Sequence, residues 1–115
     1  MKTILVVDDE ADITEALQLY LELDGYETIP AYDGTEALSK AVEARPDLIL
    51  TDITMPGLDG AELIERIRAT PTLRDTPIIA MSGKRRPALA IPFFRKPFDP
   101  ADLVAEIARL LAPAE

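Results

Sequence analysis

Short apolar runs alternate with stretches of helical periodicity along this chain. Ile4-Leu5-Val6-Val7, Leu48-Ile49-Leu50, Ile78-Ile79-Ala80-Met81 and the brief Phe93-Phe94 are continuous apolar runs. Short runs of this kind read as strands. A first helix is expected from about Ala11 to Asp24, with Ile13, Ala16, Leu17, Tyr20 and Leu21 as its apolar stripe and Gly25 as its stop. A weak edge strand follows near Glu27-Thr28-Ile29, and Asp33-Gly34 marks a turn. Thr35-Glu36 opens a second helix with Ala37, Leu38, Ala41 and Val42 inward, ended by Arg45-Pro46. Met55-Pro56-Gly57 reads as a tight loop. A third helix, about Asp59 to Ala69, turns Leu63, Ile64 and Ile67 to one side before Thr70-Pro71. The last helix begins at Asp99-Pro100, an N-cap followed by a first-turn proline, and buries Leu103, Ile107, Leu110 and Leu111. Alternation of this kind predicts βα units around a parallel sheet, an α/β fold. The stretch from Lys84 to Pro92 holds two prolines and predicts a loop or a single turn. There are no repeats, low-complexity segments or linkers, so residues 1–115 read as one domain.

The chemistry lies where the strands stop. The first run ends in Asp8-Asp9, the second in Thr51-Asp52, the third in Ser82-Gly83 and the fourth in Arg95-Lys96-Pro97. Ligands of open parallel sheets bind at the carboxyl ends of the strands. Taken singly, each residue has an ordinary reading: a helix cap at Asp8 or Asp9, a turn at Asp52, a loop at Ser82, a solvated lysine at Lys96. Their conjunction at four strand ends describes a pocket for a divalent cation and a phosphoryl group. Asp8, Asp9 and Asp52 supply the hard oxygen ligands that Mg²⁺ takes, and a bound cation relieves their mutual repulsion. A carboxylate can also attack phosphorus to give an aspartyl phosphate. Lys96 can neutralise a phosphoryl oxygen, while the Ser82 hydroxyl and nearby backbone N–H groups hydrogen-bond others.

Composition narrows the field. The sequence has no histidine and no cysteine. This excludes a Ser-His triad, thiolate chemistry, a zinc–thiolate site and a phosphohistidine of its own. The formal charge of -9 argues against binding nucleic acid. No apolar run reaches the roughly 20 residues needed to span a bilayer. Met1-Lys2-Thr3 leads straight into a strand without a signal-peptide pattern, so a cytoplasmic protein is expected. Met1 and the stop soon after the last helix point to a complete small protein.

These motifs together resemble the receiver domain of two-component response regulators, the CheY-like superfamily. The segments are Val6-Val7-Asp8-Asp9-Glu10, Asp52-Ile53-Thr54-Met55-Pro56-Gly57-Leu58-Asp59-Gly60, Ser82-Gly83 and Lys96-Pro97-Phe98, and the likeness covers essentially the whole length. It implies a flavodoxin-like, doubly wound five-stranded parallel sheet with the order 2-1-3-4-5 of the chemotaxis member. It implies Asp52 as phosphoacceptor, Mg²⁺ bound by Asp9, Asp52 and the Thr54 main-chain carbonyl, and Asp8 acting through a water. Ser82 looks like the hydroxyl that follows the phosphoryl group, Phe93 like the switch aromatic, and Lys96 like the phosphate-contacting lysine, with a cis bond to Pro97. The implied partners are a histidine kinase or histidine phosphotransfer protein and a downstream protein, with signalling by conformational change. Such a domain is no enzyme beyond its own phosphorylation and dephosphorylation. The segment between Ser82 and Lys96 is short by about two helical turns, so the family's fourth helix is expected to be reduced or absent. Lys84-Arg85-Arg86 reads either as a basic patch beside the site or as a solvated loop.

Two other classes compete. A receiver-like scaffold would bind partners without phosphorylation, against which stands the intact set Asp8, Asp9, Asp52 and Lys96. A haloacid-dehalogenase-type phosphohydrolase would want an aspartate two residues after the nucleophile, where this chain has Thr54.

Overall fold

A computed structural model of the protein describes residues 1–55, 60–83 and 91–112. Five parallel strands, β1 (Thr3–Val7), β2 (Glu27–Ala31), β3 (Leu48–Asp52), β4 (Ile78–Ser82) and β5 (Phe93–Arg95), form one sheet in the order β2-β1-β3-β4-β5. The described helices are α1 (Ala11–Leu23), α2 (Gly34–Ala44), α3 (Gly60–Ala69) and α4 (Pro100–Leu111). None is long and apolar enough to cross a membrane. The expected strand order is therefore observed. The readings at 56–59 and 84–90, which are the tight loop past Met55, the helix start at Asp59, the reduced helix and the basic patch, lie outside the described residues.

Continuous apolar strands mean two covered faces, and alternate residues divide between them. Leu5, Val7, Ile49 and Ile78 join Ala37 and Ala41 of α2 and Leu63, Ile64 and Ile67 of α3 in one core. Ile4, Val6, Leu48, Leu50, Ile79 and Met81 join Leu17 and Leu21 of α1 and Leu103 and Ile107 of α4 in the other. The helices that follow β1 and β3, α1 and α3, thus lie on opposite faces, which opens a crevice at that switch point.

Two helix faces differ from the periodicity. On α1 the fully buried residues are Thr14, Leu17 and Leu21, whereas Tyr20 is 51% exposed and Ala16 is also exposed. A count of apolar residues gives no weight to a threonine, but Thr14 finds internal acceptors and turns the helix toward itself. Ile13, Ala16 and Tyr20 instead wall a groove beside Lys96, Pro97 and Phe98. On α2, Ala37 and Ala41 are buried but Val42 is 49% exposed, because it lies one residue, about 100°, around the helix from Ala41. Strand β2 runs on through Pro30 to Ala31. The edge position of β2 tolerates a proline, which has no N–H to give a ladder. Gly25, at φ +95, supplies the left-handed turn between α1 and β2.

Candidate functional site

Register brings the polar strand ends to one edge of the sheet. Val7 lies opposite Thr51, Asp52 opposite Met81, and Ser82 opposite Arg95. Asp8, Asp52, Ser82 and Lys96 therefore emerge together from β1, β3, β4 and β5. The main chain fixes each of them: the Asp8 N–H donates to Ala31 O (3.1 Å), the Ile53 N–H to Met81 O (3.0 Å) and the Lys96 N–H to Ser82 O (2.8 Å). The Lys96-Pro97 peptide is cis, as expected. Beyond it the Phe94 and Phe98 rings pack at 5.4 Å between centroids, and Asp99 caps α4 by accepting from the Ala101 N–H (2.9 Å).

One ammonium joins two carboxylates. Lys96 Nζ donates to Asp8 Oδ2 at 2.6 Å and to Asp52 Oδ2 at 2.9 Å. These two contacts cap the separation of the oxygens at 5.5 Å, their sum. The remaining oxygens are held by backbone: Asp8 Oδ1 accepts from the Glu10 N–H (2.9 Å) and Asp52 Oδ1 from the Thr54 N–H (2.8 Å). The Thr54 and Ser82 hydroxyls share a hydrogen bond of 3.1 Å. Asp8 is fully buried and Asp52 is 4% exposed. Asp9 is exposed, and its carboxylate approaches those of Asp8 and Glu10, with one oxygen from each within 4.8 Å of the others. Phe93 sits half-buried at the start of β5, in register with Ala80 of β4.

Burial pushes the Asp8 carboxyl above the ordinary carboxylate range; the hydrogen bonds from Lys96 and Glu10 and the lysine's charge pull it down without cancelling that effect. Burial alone would lower the Lys96 ammonium. The hydrogen bonds and charges of Asp8 and Asp52 outweigh it, so Lys96 is held above the ordinary lysine range and stays charged. The donor set consists of carboxylate, hydroxyl and carbonyl oxygens, with no thiolate or imidazole anywhere in the sequence. Hard oxygens clustered at Asp8, Asp9 and Glu10, with Asp52 joined to Asp8 through Lys96, fit Mg²⁺ and suit softer metals poorly.

Three contributors were not singled out from sequence. Glu10 adds a fourth carboxylate to Asp8, Asp9 and Asp52, and its place directly after Asp8-Asp9 is a readable signal. Thr14 donates its hydroxyl beneath the turn, toward Asp8 O (3.2 Å) and Glu10 O (3.3 Å). Gly60 opens α3 against the peptide that follows Asp52: an added Cβ would lie 2.3 Å from Ile53 Cα and 2.5 Å from Asp52 O. Only glycine admits that approach.

Comparison with known proteins gives a consistent picture. The model of the response regulator receiver domain matches residues 4–108. The transcriptional regulatory protein ResD of Bacillus subtilis is 41% identical over 119 aligned residues, covering 96% of this chain and 48% of ResD. The chemotaxis protein CheY4 of Vibrio cholerae superposes with a TM-score of 0.90 at 34% identity, covering 96% of this chain and 99% of that one. The response regulator TrrA of Thermotoga maritima, solved in complex with Mg(2+)-BeF, has a TM-score of 0.88 at 38% identity, covering 96% and 100%. The chain spans about half the length of the curated relatives it matches.

Proposed function

This chain belongs to the response regulator receiver domain family, and from that membership we propose that it is a cytoplasmic phosphoacceptor in which residues 1–115 form a receiver domain that takes a phosphoryl group on Asp52. The family is a signalling domain of two-component systems and not a classical enzyme. The donor is a histidine kinase or a histidine phosphotransfer protein. An Asp52 carboxylate oxygen attacks phosphorus as the P–N bond of the donor's phosphohistidine breaks. The imidazole leaves with the electron pair and takes up a proton from water.

The chain's own groups set the geometry of that transfer. The Thr54 N–H and the Lys96 ammonium fix the two Asp52 oxygens, so the nucleophile is oriented before the donor arrives. Lys96 then balances charge on the transferred group, and the Ser82 hydroxyl donates to one of its oxygens. Asp8, Asp9, Asp52 and the Thr54 main-chain carbonyl are the groups that would hold Mg²⁺. Bound there, the ion supplies charge neutralisation for the phosphoryl oxygens. Ser82 and Phe93 carry the change outward, and the phosphorylated form differs from the resting one in its affinity for a downstream protein. An apolar groove between α1 and the Lys96-Pro97-Phe98 turn adjoins Lys96.

The observation that carries this reading is Lys96 Nζ within 3 Å of both Asp8 and Asp52, three residues far apart in the chain meeting at one point. The test is incubation with Mg²⁺ and either a small acyl phosphate or beryllium fluoride. A Mg²⁺-dependent adduct that Asp52→Asn abolishes is expected. An adduct that survives this substitution sinks the assignment.

A further inference from the structure

The turn that carries Asp8, Asp9 and Glu10 has little of the usual support at a helix start. Glu10 is the N-cap of α1, yet its side chain makes no capping bond. What the turn has is Thr14, fully buried under it. A threonine in the first turn of a helix commonly bonds back to the carbonyl four residues earlier, here Glu10. That carbonyl already accepts from the Ile13 and Thr14 N–H groups, both at 3.1 Å. A carbonyl oxygen has two lone pairs, so both are in use, and the Thr14 hydroxyl at 3.3 Å is a third, weaker donor to it. The Asp8 carbonyl lies at 3.2 Å from the same hydroxyl, six residues back and outside the helix.

We infer that Thr14 is a positioning residue for the acid pair Asp8-Asp9, acting through the peptide plane that joins them. The Asp8 carbonyl and the Asp9 N–H belong to that one rigid plane. Fixing the carbonyl oxygen fixes the plane's tilt, and with it the direction in which the Asp9 side chain leaves the backbone. Asp8 is otherwise held through its N–H, by Ala31 O, and through its two carboxylate oxygens, by Glu10 N–H and Lys96. Asp9 is exposed, so its direction depends on the backbone beneath it. The inference rests on reading this pair as facing a cation.

The substitutions are Thr14→Val, which keeps the shape and removes the hydroxyl, and Thr14→Ser, which keeps the hydroxyl. Mg²⁺ affinity is read by calorimetry well below the melting temperature, and the Asp9 and Glu10 amide resonances are read without metal. Thr14→Val should weaken Mg²⁺ binding about fivefold and displace the Asp9 amide resonance in the metal-free protein. Thr14→Ser should stay within twofold of wild type on both counts. If the valine variant does not fold, Thr14→Ala serves as the hydroxyl-free form. Unchanged affinity and an unmoved Asp9 resonance in a folded valine or alanine variant overturn the inference, even if the melting temperature drops, for Thr14 is then only core. If wild type itself binds no Mg²⁺, the cation reading falls and takes the inference with it. Wild-type binding matched by the valine variant removes the inference alone.

Discussion

Replacing Gly60 by alanine puts the coupling between α3 and the end of β3 to a direct test. The new Cβ would start 2.3 Å from Ile53 Cα and 2.5 Å from Asp52 O, whereas ordinary contact begins at about 3.4 Å. Helix and strand end must separate by about 1.1 Å, the difference between 3.4 and 2.3 Å. Both opposing atoms are backbone, so no side chain can rotate aside to make room. Overpacking of this kind costs about 1–3 kcal/mol. At roughly 4 °C per kcal/mol for a domain of this size, the melting temperature should fall by about 4–12 °C. The same shift moves Ile53, and the next peptide carries the Thr54 N–H that reaches the Asp52 carboxylate. A misplacement near 1 Å can cost on the order of 10²-fold in rate. Phosphorylation by a small acyl phosphate, followed at a temperature where the variant is folded, should therefore slow by at least about tenfold. A variant that melts within about 1 °C of wild type and phosphorylates at the wild-type rate refutes the close approach.

Two further outcomes follow from the electrostatics. The Asp8 carboxyl is raised above 3.8 by burial, so the fold favours its neutral form. Its stabilising contribution is complete below pH 3.8 and is lost as pH rises through the raised value, above which the buried charge is a burden. Asp8→Asn should melt above wild type at pH 7, with the gap closing as pH is lowered to 3.8; an equal or lower melting temperature at pH 7 contradicts this. Lys96 is raised above 10.5 by Asp8 and Asp52, so its contribution holds while those carboxylates are ionised and is lost as pH rises through its raised value in strong alkali. Mg²⁺ at ten times its dissociation constant should stabilise the fold by about 1.4 kcal/mol, or about 6 °C, and a melting curve unmoved by millimolar Mg²⁺ counts against the cation site.

Much of the architecture could be read from local pattern. Continuous apolar runs ending in Asp8, Asp52 and Ser82 mark strands covered on both faces, and β1, β3 and β4 have those bounds. The order β2-β1-β3-β4-β5 could not be read that way. No local signal says which strand neighbours which, and only the likeness to a known family supplied it. On α1, Ile13, Leu17 and Leu21 face the core as the periodicity predicts, whereas Ala16 and Tyr20 do not and Thr14 does, because Thr14 satisfies its hydroxyl on carbonyls whose positions exist only in three dimensions. Gly60 was quoted within a motif, but its need for close approach depends on how α3 meets Ile53. The meeting of Lys96 with Asp8, 88 residues away, has no trace in spacing at all.

That meeting also says something about the resting molecule. The ammonium is a tethered counter-ion, supplied by the fold itself and stationed between two of the acids. The acids are therefore gathered and ordered in advance, and an arriving divalent cation has little assembly left to bring about. It must, however, share the same oxygens with a resident positive charge. Wherever a cation does bind, such competition would temper its affinity.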